Sequence, residues 1–397
     1  MTRERDDLRP ATLCVHGGHR PTPEAPAVVG PTYRSATYLQ SEESYAKIRA
    51  GRSDEVWIYS RYANPGVQTL ERRIAALEGT ESSLAFSSGT AALLAAILAH
   101  APPGGVLLAS EALYGGTLDL LKEGASRFEL ELRWFDGTRG AAALAGRMQG
   151  VSVVLVETLS NPTLIVADVP GLAQAAHGAG AKLLVDATFT PPVIQRPARL
   201  GADLVMHSAT KYLGGHSDLI AGVVSGSRAD LAPIWTWRKR LGGVLDPEPA
   251  FLLERGLKTL AVRVREHARV AGILASFLAS HPAVARVHYP GLASHPSHEL
   301  ASRCMELPGG MLAFELAGGD DAAPAFLSGL RVALDAPSLG GVETLVSLPA
   351  LMSHPNLSVE ERRAVGILPG LVRVSVGIED PADLVEDFGT ALDGVGR

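Results

Sequence analysis

Asp203-Leu-Val-Met-His207-Ser208-Ala-Thr210-Lys211-Tyr212 is an apolar run of strand length that passes straight into two hydroxyl residues and a lysine. A second apolar run, Ala181 to Val185, stops at Asp186 a short way upstream. Short aliphatic or β-branched runs bounded by turn residues read as buried strands. Leu84 to Phe86, Gly105 to Ala109 and Val151 to Val156 are of the same kind, and helical stretches such as Val169 to His177 lie between them. This alternation predicts an α/β chain with a mostly parallel sheet and helices on both faces. In open sheets of this type ligands bind beyond the carboxyl ends of the strands, which is where Asp186 and Lys211 fall.

Outward from this centre, Leu70, Ile74 and Leu77 recur at helical spacing between Thr69 and Leu77, and Gly79 follows as a C-cap. Residues 1–62 are rich in Pro, Arg and Ser with weak periodicity, and are expected to form an extended N-terminal arm that needs a surface to lie against. A large domain is expected over 63–258 and a smaller C-terminal α/β domain over 259–397. A long helix is predicted from Arg255 through Ser280, with strands at Met311 to Leu316 and Leu371 to Val376. A chain of 397 residues exceeds a comfortable single core, which suits this division.

The bulk composition excludes several classes. Charged residues make up 20% and hydrophobic residues 46% of the chain, an ordinary globular balance. The formal charge of −6, with both signs interspersed, offers no basic stripe for a nucleic acid. Cys14 and Cys304 are far apart and form no CxxC pair, which argues against a disulfide framework or a zinc ribbon and fits a reducing compartment. The N-terminus, Met1 to Pro10, has no apolar core of a secretion signal, and the most apolar helix, Ala91 to Ala101, is too short to span a bilayer. A cytoplasmic enzyme of small molecules is expected, with no membrane association. GxxxxGK[ST], GxGxxG after a strand and HExxH are all missing, and His295 and His298 read as polar turn residues, so no metal site is expected.

The chemistry rests on a few positions. Lys211 is a candidate Schiff-base nucleophile, Asp186 a carboxylate on the same sheet edge, and Ser208 and Thr210 hydroxyls that alternate along an extended segment. Lysine for an aldehyde, aspartate for a ring nitrogen and hydroxyls for a phosphate together suggest pyridoxal phosphate (PLP). Asp186 by itself reads equally as a turn cap. Ser87-Ser88-Gly89-Thr90 lies between a strand and a helix start, suited to an anion or to an ordinary N-cap. Tyr114-Gly-Gly-Thr117 reads either as a turn or as an aromatic ring laid on the cofactor. Arg373, inside an apolar strand, either snorkels outward or grips the carboxylate of an amino acid beside the loop Ala336-Pro-Ser338-Leu339-Gly-Gly341.

Assembled, these residues resemble the transsulfuration family of PLP enzymes, the cystathionine γ-synthases, cystathionine γ-lyases, methionine γ-lyases and O-acylhomoserine sulfhydrylases. The resemblance runs through Tyr59-Ser-Arg61-Tyr-Ala-Asn-Pro65, Ser88-Gly89, Tyr114 to Thr117, Glu157-Thr-Leu-Ser-Asn161-Pro162 and Asp186-Ala-Thr188. It continues through Ser208 to Asp218, Arg255-Gly-Leu-Lys-Thr259, Tyr289-Pro-Gly291, Ser338-Leu-Gly340 and Arg373-Val-Ser-Val-Gly377.

The resemblance implies an aspartate-aminotransferase-like (type I) fold. It implies Lys211 joined to the cofactor, Asp186 with Thr188 at the pyridine nitrogen, and Tyr114 on the ring and in proton transfer. Ser88, Gly89, Thr90, Ser208 and Thr210 would hold the phosphate, with Tyr59 and Arg61 reaching it from a neighbouring subunit. Asn161, Ser338, Leu339 and Arg373 would orient the amino-acid substrate. A homotetramer built from two active-site dimers is implied, which gives the arm a partner.

Departures bear on the substrate. Pro337 stands where many cystathionine-processing members have Glu, Gly116 where methionine γ-lyases tend to have Cys, Ala187 for a common Asn and Thr90 for a common Met. Pro337 and Leu241-Gly-Gly-Val-Leu-Asp-Pro247 favour γ-replacement as in cystathionine γ-synthase. γ-Elimination from cystathionine or methionine is the alternative reading. Transamination and a non-catalytic binding role stand behind both.

Overall fold

The computed structural model describes residues 8–18 and 27–395. Residues 1–7 of the charged N-terminal stretch and 19–26 of the expected arm lie outside the described residues.

The first sixty residues are only in part an arm. Helix α1 (Pro10–His16) buries Leu13 and Cys14 in the protein core, whereas α2 (Glu42–Arg49), capped by Ser41, buries no side chain. The expectation of an extended segment failed at α1 because two buried side chains in seven residues leave almost no periodic signal. Helix α3 (Pro65–Glu78) opens on Asn64, whose Oδ1 accepts the Gly66 and Val67 N–H groups, and closes on Gly79 at φ 74°. Leu70, Ile74 and Leu77 on its inner face are essentially inaccessible, each stabilising the fold by about 1.5–3 kcal/mol.

Seven strands follow: β1 (Ser82–Phe86), β2 (Val106–Ser110), β3 (Glu131–Phe135), β4 (Val151–Glu157), β5 (Lys182–Asp186), β6 (Leu204–Ser208) and β7 (Gly222–Gly226). Their order is β1-β7-β6-β5-β4-β2-β3, and only β7 runs antiparallel to its neighbours. Strand periodicity sends Leu184, Leu204 and Met206 to one face and Leu183, Val185 and Val205 to the other. The first face is covered by α4 (Gly89–His100), α5 (Gly115–Gly124) and α7 (Arg228–Leu241), the second by α6 (Val169–Gly178). The parallel register sets Glu157 opposite Asp186 and Asp186 opposite Met206, so the strand ends align at one edge.

Beyond α7 (Arg228–Leu241), the predicted helix from Arg255 to Ser280 is two helices, α8 (Pro247–Leu257) and α9 (Leu260–Ser280). The break falls at Lys258-Thr259, residues that interrupt neither the apolar pattern nor the composition, which is why the reading ran through it. The chain continues through β8 (Val284–His288), α10 (His298–Cys304), β9 (Met311–Leu316), α11 (Ala323–Gly329), β10 (Leu334–Asp335), β11 (Leu345–Ser347), α12 (Pro349–Met352), α13 (Val359–Ala364), β12 (Leu371–Ser375) and α14 (Pro381–Asp393). The second sheet has the order β10-β11-β12-β9-β8. It packs on α9, α11 and α14 through Phe314, Phe326 and Phe388, whose rings meet edge-on or tilted. His295, read as a polar turn residue, is buried, because its loop folds under the start of α10. Among the described residues no helix is long and apolar enough to cross a membrane, and no group of His, Cys, Asp and Glu side chains could hold a metal ion.

Candidate active site

A cavity of about 430 Å³ opens at the carboxyl edge of the large sheet. Strands β4, β5 and β6 deliver Glu157, Asp186 and Ser208 to its floor, α4 its first turn, strand β12 Arg373 and the loop between β10 and β11 Ser338. Lys211 follows β6 by three residues and lines the cavity, its Nζ donating to Ser338 Oγ at 2.7 Å. Burial, with Arg373 nearby, lowers its pKa to about 8.

Asp186 is fixed through one oxygen. Oδ1 accepts both the N–H and the hydroxyl of Thr188, at 2.9 and 2.5 Å, and Thr188 Oγ1 in turn accepts the Ser208 N–H at 2.8 Å. The turn-cap and ring-partner readings are therefore compatible, since capping uses Oδ1 and leaves Oδ2 for the cavity. Burial pushes the Asp186 carboxyl up, while the Thr188 bonds and His207 favour its anion. Glu157 belongs to the motif Glu157-Thr-Leu-Ser-Asn161-Pro162 but carries no role from the sequence. It lies beside Asp186 in the register, is held well above the carboxylate range by burial and by that neighbouring charge, and accepts the Tyr114 N–H at 2.6 Å. Of the two, Asp186 has more donors on its oxygen than Glu157 and is the better placed to carry negative charge. A carboxylate ending a strand next to Asp186 was the signal that marked it.

The anion end lies at the N-terminus of α4. Ser88 caps the helix by accepting the Ala91 N–H at 3.1 Å, and the Gly89 and Thr90 amides are among its free first-turn donors. A Cβ on Gly89 would come within 2.9 Å of Ser208 Cβ, and one on Gly222 within 2.1 Å of Ser88 O, so β7 and this turn close only around glycines. The strand expected to carry both Ser208 and Thr210 ends at Ser208. Thr210 sits in the following turn with its hydroxyl donating to Ala221 O and accepting the Ala221 N–H, so backbone pairing to the neighbouring strand edge replaced the alternation.

At the other end Arg373 is buried, its Nη1 3.3 Å from Asn161 Oδ1 and its Nη2 3.2 Å from Ser338 O. Burial lowers its pKa to about 10, which leaves it charged at neutral pH. Pro337, Leu339, Ile220 and Met352 form an apolar wall. Met352 and Ser353, absent from the sequence reading, arrive because α12 folds back onto the Tyr114 loop. A Cβ on Gly115 would lie 1.7 Å from Ser353 O. Tyr114 lines the cavity with its side chain half-exposed. Tyr59 and Arg61 do not line their own chain's cavity. Arg61 donates to Lys239 O at 2.6 Å and lies over the Tyr62 ring.

The donor set suits PLP: a lysine of lowered pKa, a carboxylate with one uncommitted oxygen, a helix start with free amides behind a glycine turn, and a half-open aromatic ring. It fits an amino acid beside the cofactor, with Arg373 for the carboxylate.

Comparison with known proteins agrees. A model of the family described as "Cys/Met metabolism PLP-dependent enzyme" matches residues 11–393. The chain is 42% identical to L-methionine gamma-lyase of Pseudomonas putida, covering 96% of each. It is 39% identical to cystathionine gamma-lyase of Bacillus subtilis, covering 98% of this chain and 100% of that one. It is 40% identical to cystathionine gamma-synthase of Mycobacterium tuberculosis, covering 96% of each. Cystathionine gamma synthase from Xanthomonas oryzae pv. oryzae, solved with aminoacrylate and cysteine, superposes with a TM-score of 0.91 at 37% identity, over 97% of this chain and 98% of that one.

Proposed function

The chain belongs to the Cys/Met metabolism PLP-dependent enzymes, a transsulfuration enzyme of the type I fold with PLP as its cofactor, and from this premise we propose that it performs γ-replacement on a homoserine-derived amino acid. The observation that carries this reading is the apolar wall of Pro337, Leu339, Ile220 and Met352. Among the described residues it offers no charge to grip the distal ammonium of cystathionine. Such a wall accepts an uncharged acyl or thioether group at Cγ, and holds cystathionine weakly, as suits a product more than a substrate.

Bound PLP supplies an electron sink for charge developing at the substrate Cα. On our reading Asp186, steadied by Thr188, holds the ring nitrogen; Ser88, Gly89, Thr90, Ser208 and Thr210 hold the phosphate; and Tyr114 covers the ring. Arg373 grips the α-carboxylate, Asn161 braces Arg373, and Ser338 with Leu339 shapes the mouth. Lys211, with a pKa of about 8, is partly neutral at pH 7 and takes the Cα proton, its Nζ steered by Ser338. The Tyr114 hydroxyl serves the proton transfers at Cβ and to the acyl group that leaves Cγ as the incoming thiol takes its place.

Tyr59 and Arg61 are assigned to the phosphate of a neighbouring subunit, in a tetramer of two active-site dimers. Exposed Val28, Leu39 and Trp57 in the arm support that pairing. The proposal extends to an arm over 1–62, a large domain over 63–258 and a smaller one over 259–397, in a cytoplasmic protein whose two cysteines are free.

γ-Elimination is the second reading, favoured by the same wall, because a methyl thioether fits it as well as an ester does. The test offers O-acetylhomoserine with and without cysteine, and methionine and cystathionine separately. Cystathionine formed faster than 2-oxobutanoate supports replacement. Rapid 2-oxobutanoate from methionine alone overturns it.

A further inference from the structure

On the face of the large sheet away from the cavity, His207 Nε2 lies 2.5 Å from Glu78 Oε1, with the two residues 1% and 0% exposed. His207 Nδ1 and Glu78 Oε2 have no hydrogen-bond partner among the described residues. A fully buried histidine–carboxylate pair is an expensive structural device. Well-packed apolar side chains of the same volume serve stability as well or better, so its presence points to a use for the pair.

Its position supplies one. His207 directly follows Met206, whose Cα is paired with that of Asp186 and whose carbonyl accepts the Ala187 N–H at 2.8 Å. The imidazole therefore stands behind the carboxylate that faces the cavity. Asp186 is pulled two ways: burial and the neighbouring Glu157 oppose its charge, while Thr188 and His207 support it. Of these supporters only His207 acts without a hydrogen bond to Asp186, and Glu78, at the end of α3, holds the imidazole through Nε2.

We propose that His207, held by Glu78, is a positioning residue that keeps Asp186 anionic from behind the sheet and so strengthens its hold on a protonated ring nitrogen. The proposal rests on the reading of Asp186 as the ring-nitrogen partner. It predicts that the pair acts only through that nitrogen.

The test titrates the apoenzyme with PLP and with its 1-carba analogue, in which the ring nitrogen is replaced by CH, and reads affinity from quenching of tryptophan fluorescence. Two variants are compared with the unaltered protein, His207→Gln and the near-isosteric Glu78→Gln. Each is expected to lose roughly tenfold in affinity for PLP, the equivalent of one unit of proton affinity, and to bind the carba analogue as before. An equal loss for both ligands, in either variant that keeps the parent melting temperature, overturns the proposal and leaves the pair a purely structural element. No loss for either ligand also overturns it. If the unaltered protein itself binds PLP and the carba analogue alike, the failure lies in the reading of Asp186 and is recognised as such.

Discussion

Lys211, in the turn after β6, and Ser338, in the loop between β10 and β11, meet Nζ to Oγ at 2.7 Å, and the serine that receives the lysine has a backbone φ of 122°. That conformation is strained for any residue with a Cβ, and strain of this kind persists where surrounding structure enforces it.

The strain gives a signed expectation. Ser338→Ala removes the hydroxyl and keeps the strain, whereas Ser338→Gly removes both. Glycine ordinarily costs about 0.4–1 kcal/mol through the unfolded chain. Release of roughly 1–3 kcal/mol of strain is larger, so Ser338→Gly is expected to melt above Ser338→Ala in calorimetry. The reverse order rules out strain at this residue.

Lys211 sets a pH dependence. Only the neutral amine attacks an aldehyde, and burial beside Arg373 brings its pKa to about 8. The rate of PLP capture by the apoenzyme is expected to rise with pH up to about 8 and level above it, rather than continuing to climb toward the ordinary lysine value of about 10.4. Stopped-flow absorbance measures this directly. Lys211→Ala is expected to abolish capture and to lower turnover by at least about 10³-fold.

Arg373→Lys keeps the charge but loses the fork that reaches Asn161 and Ser338 O and that we assign to the substrate carboxylate. Losing one charged hydrogen bond of about 1.5–3 kcal/mol is expected to lower kcat/KM roughly ten- to a hundredfold, mainly through KM. An unchanged KM in steady-state kinetics assigns the arginine to structure.

Gly115→Ala places a Cβ 1.7 Å from Ser353 O, a backbone atom that cannot move without α12. Overpacking of this kind costs about 1–3 kcal/mol, and here it also displaces Met352 from the apolar wall. A lowered melting temperature with a raised KM for the amino acid is expected. Loss of stability with unaltered KM separates α12 from substrate binding.

The sheet that positions the site was legible because β5 and β6 are short apolar runs that end in Asp186 and Ser208, and the C-cap of α3 was legible in Gly79. Strand β7 was not legible: three of the five residues of Gly222-Val-Val-Ser-Gly226 are small, and it pairs antiparallel between β1 and β6, a placement decided by tertiary contacts. The packed α1 carries only Leu13 and Cys14 inward, too few to show a period. Motif residues such as Lys211, Asp186 and Arg373 could be named from chemistry alone. Met352 and Ser353 could not, because their nearness to Tyr114 arises from a fold-back of α12 that no local pattern announces.

The cavity has two owners. Within one chain, the residues proposed to seat the vitamin, from Ser88 to Lys211, come from the first sheet with its helices and loops, whereas Ser338, Arg373 and the α12 turn come from the second sheet and its loops. Exchanging the segment 336–353 for that of a relative can thus redirect which amino acid is consumed while the pigment stays anchored, an arrangement that lets chemical preference drift without rebuilding the catalytic engine.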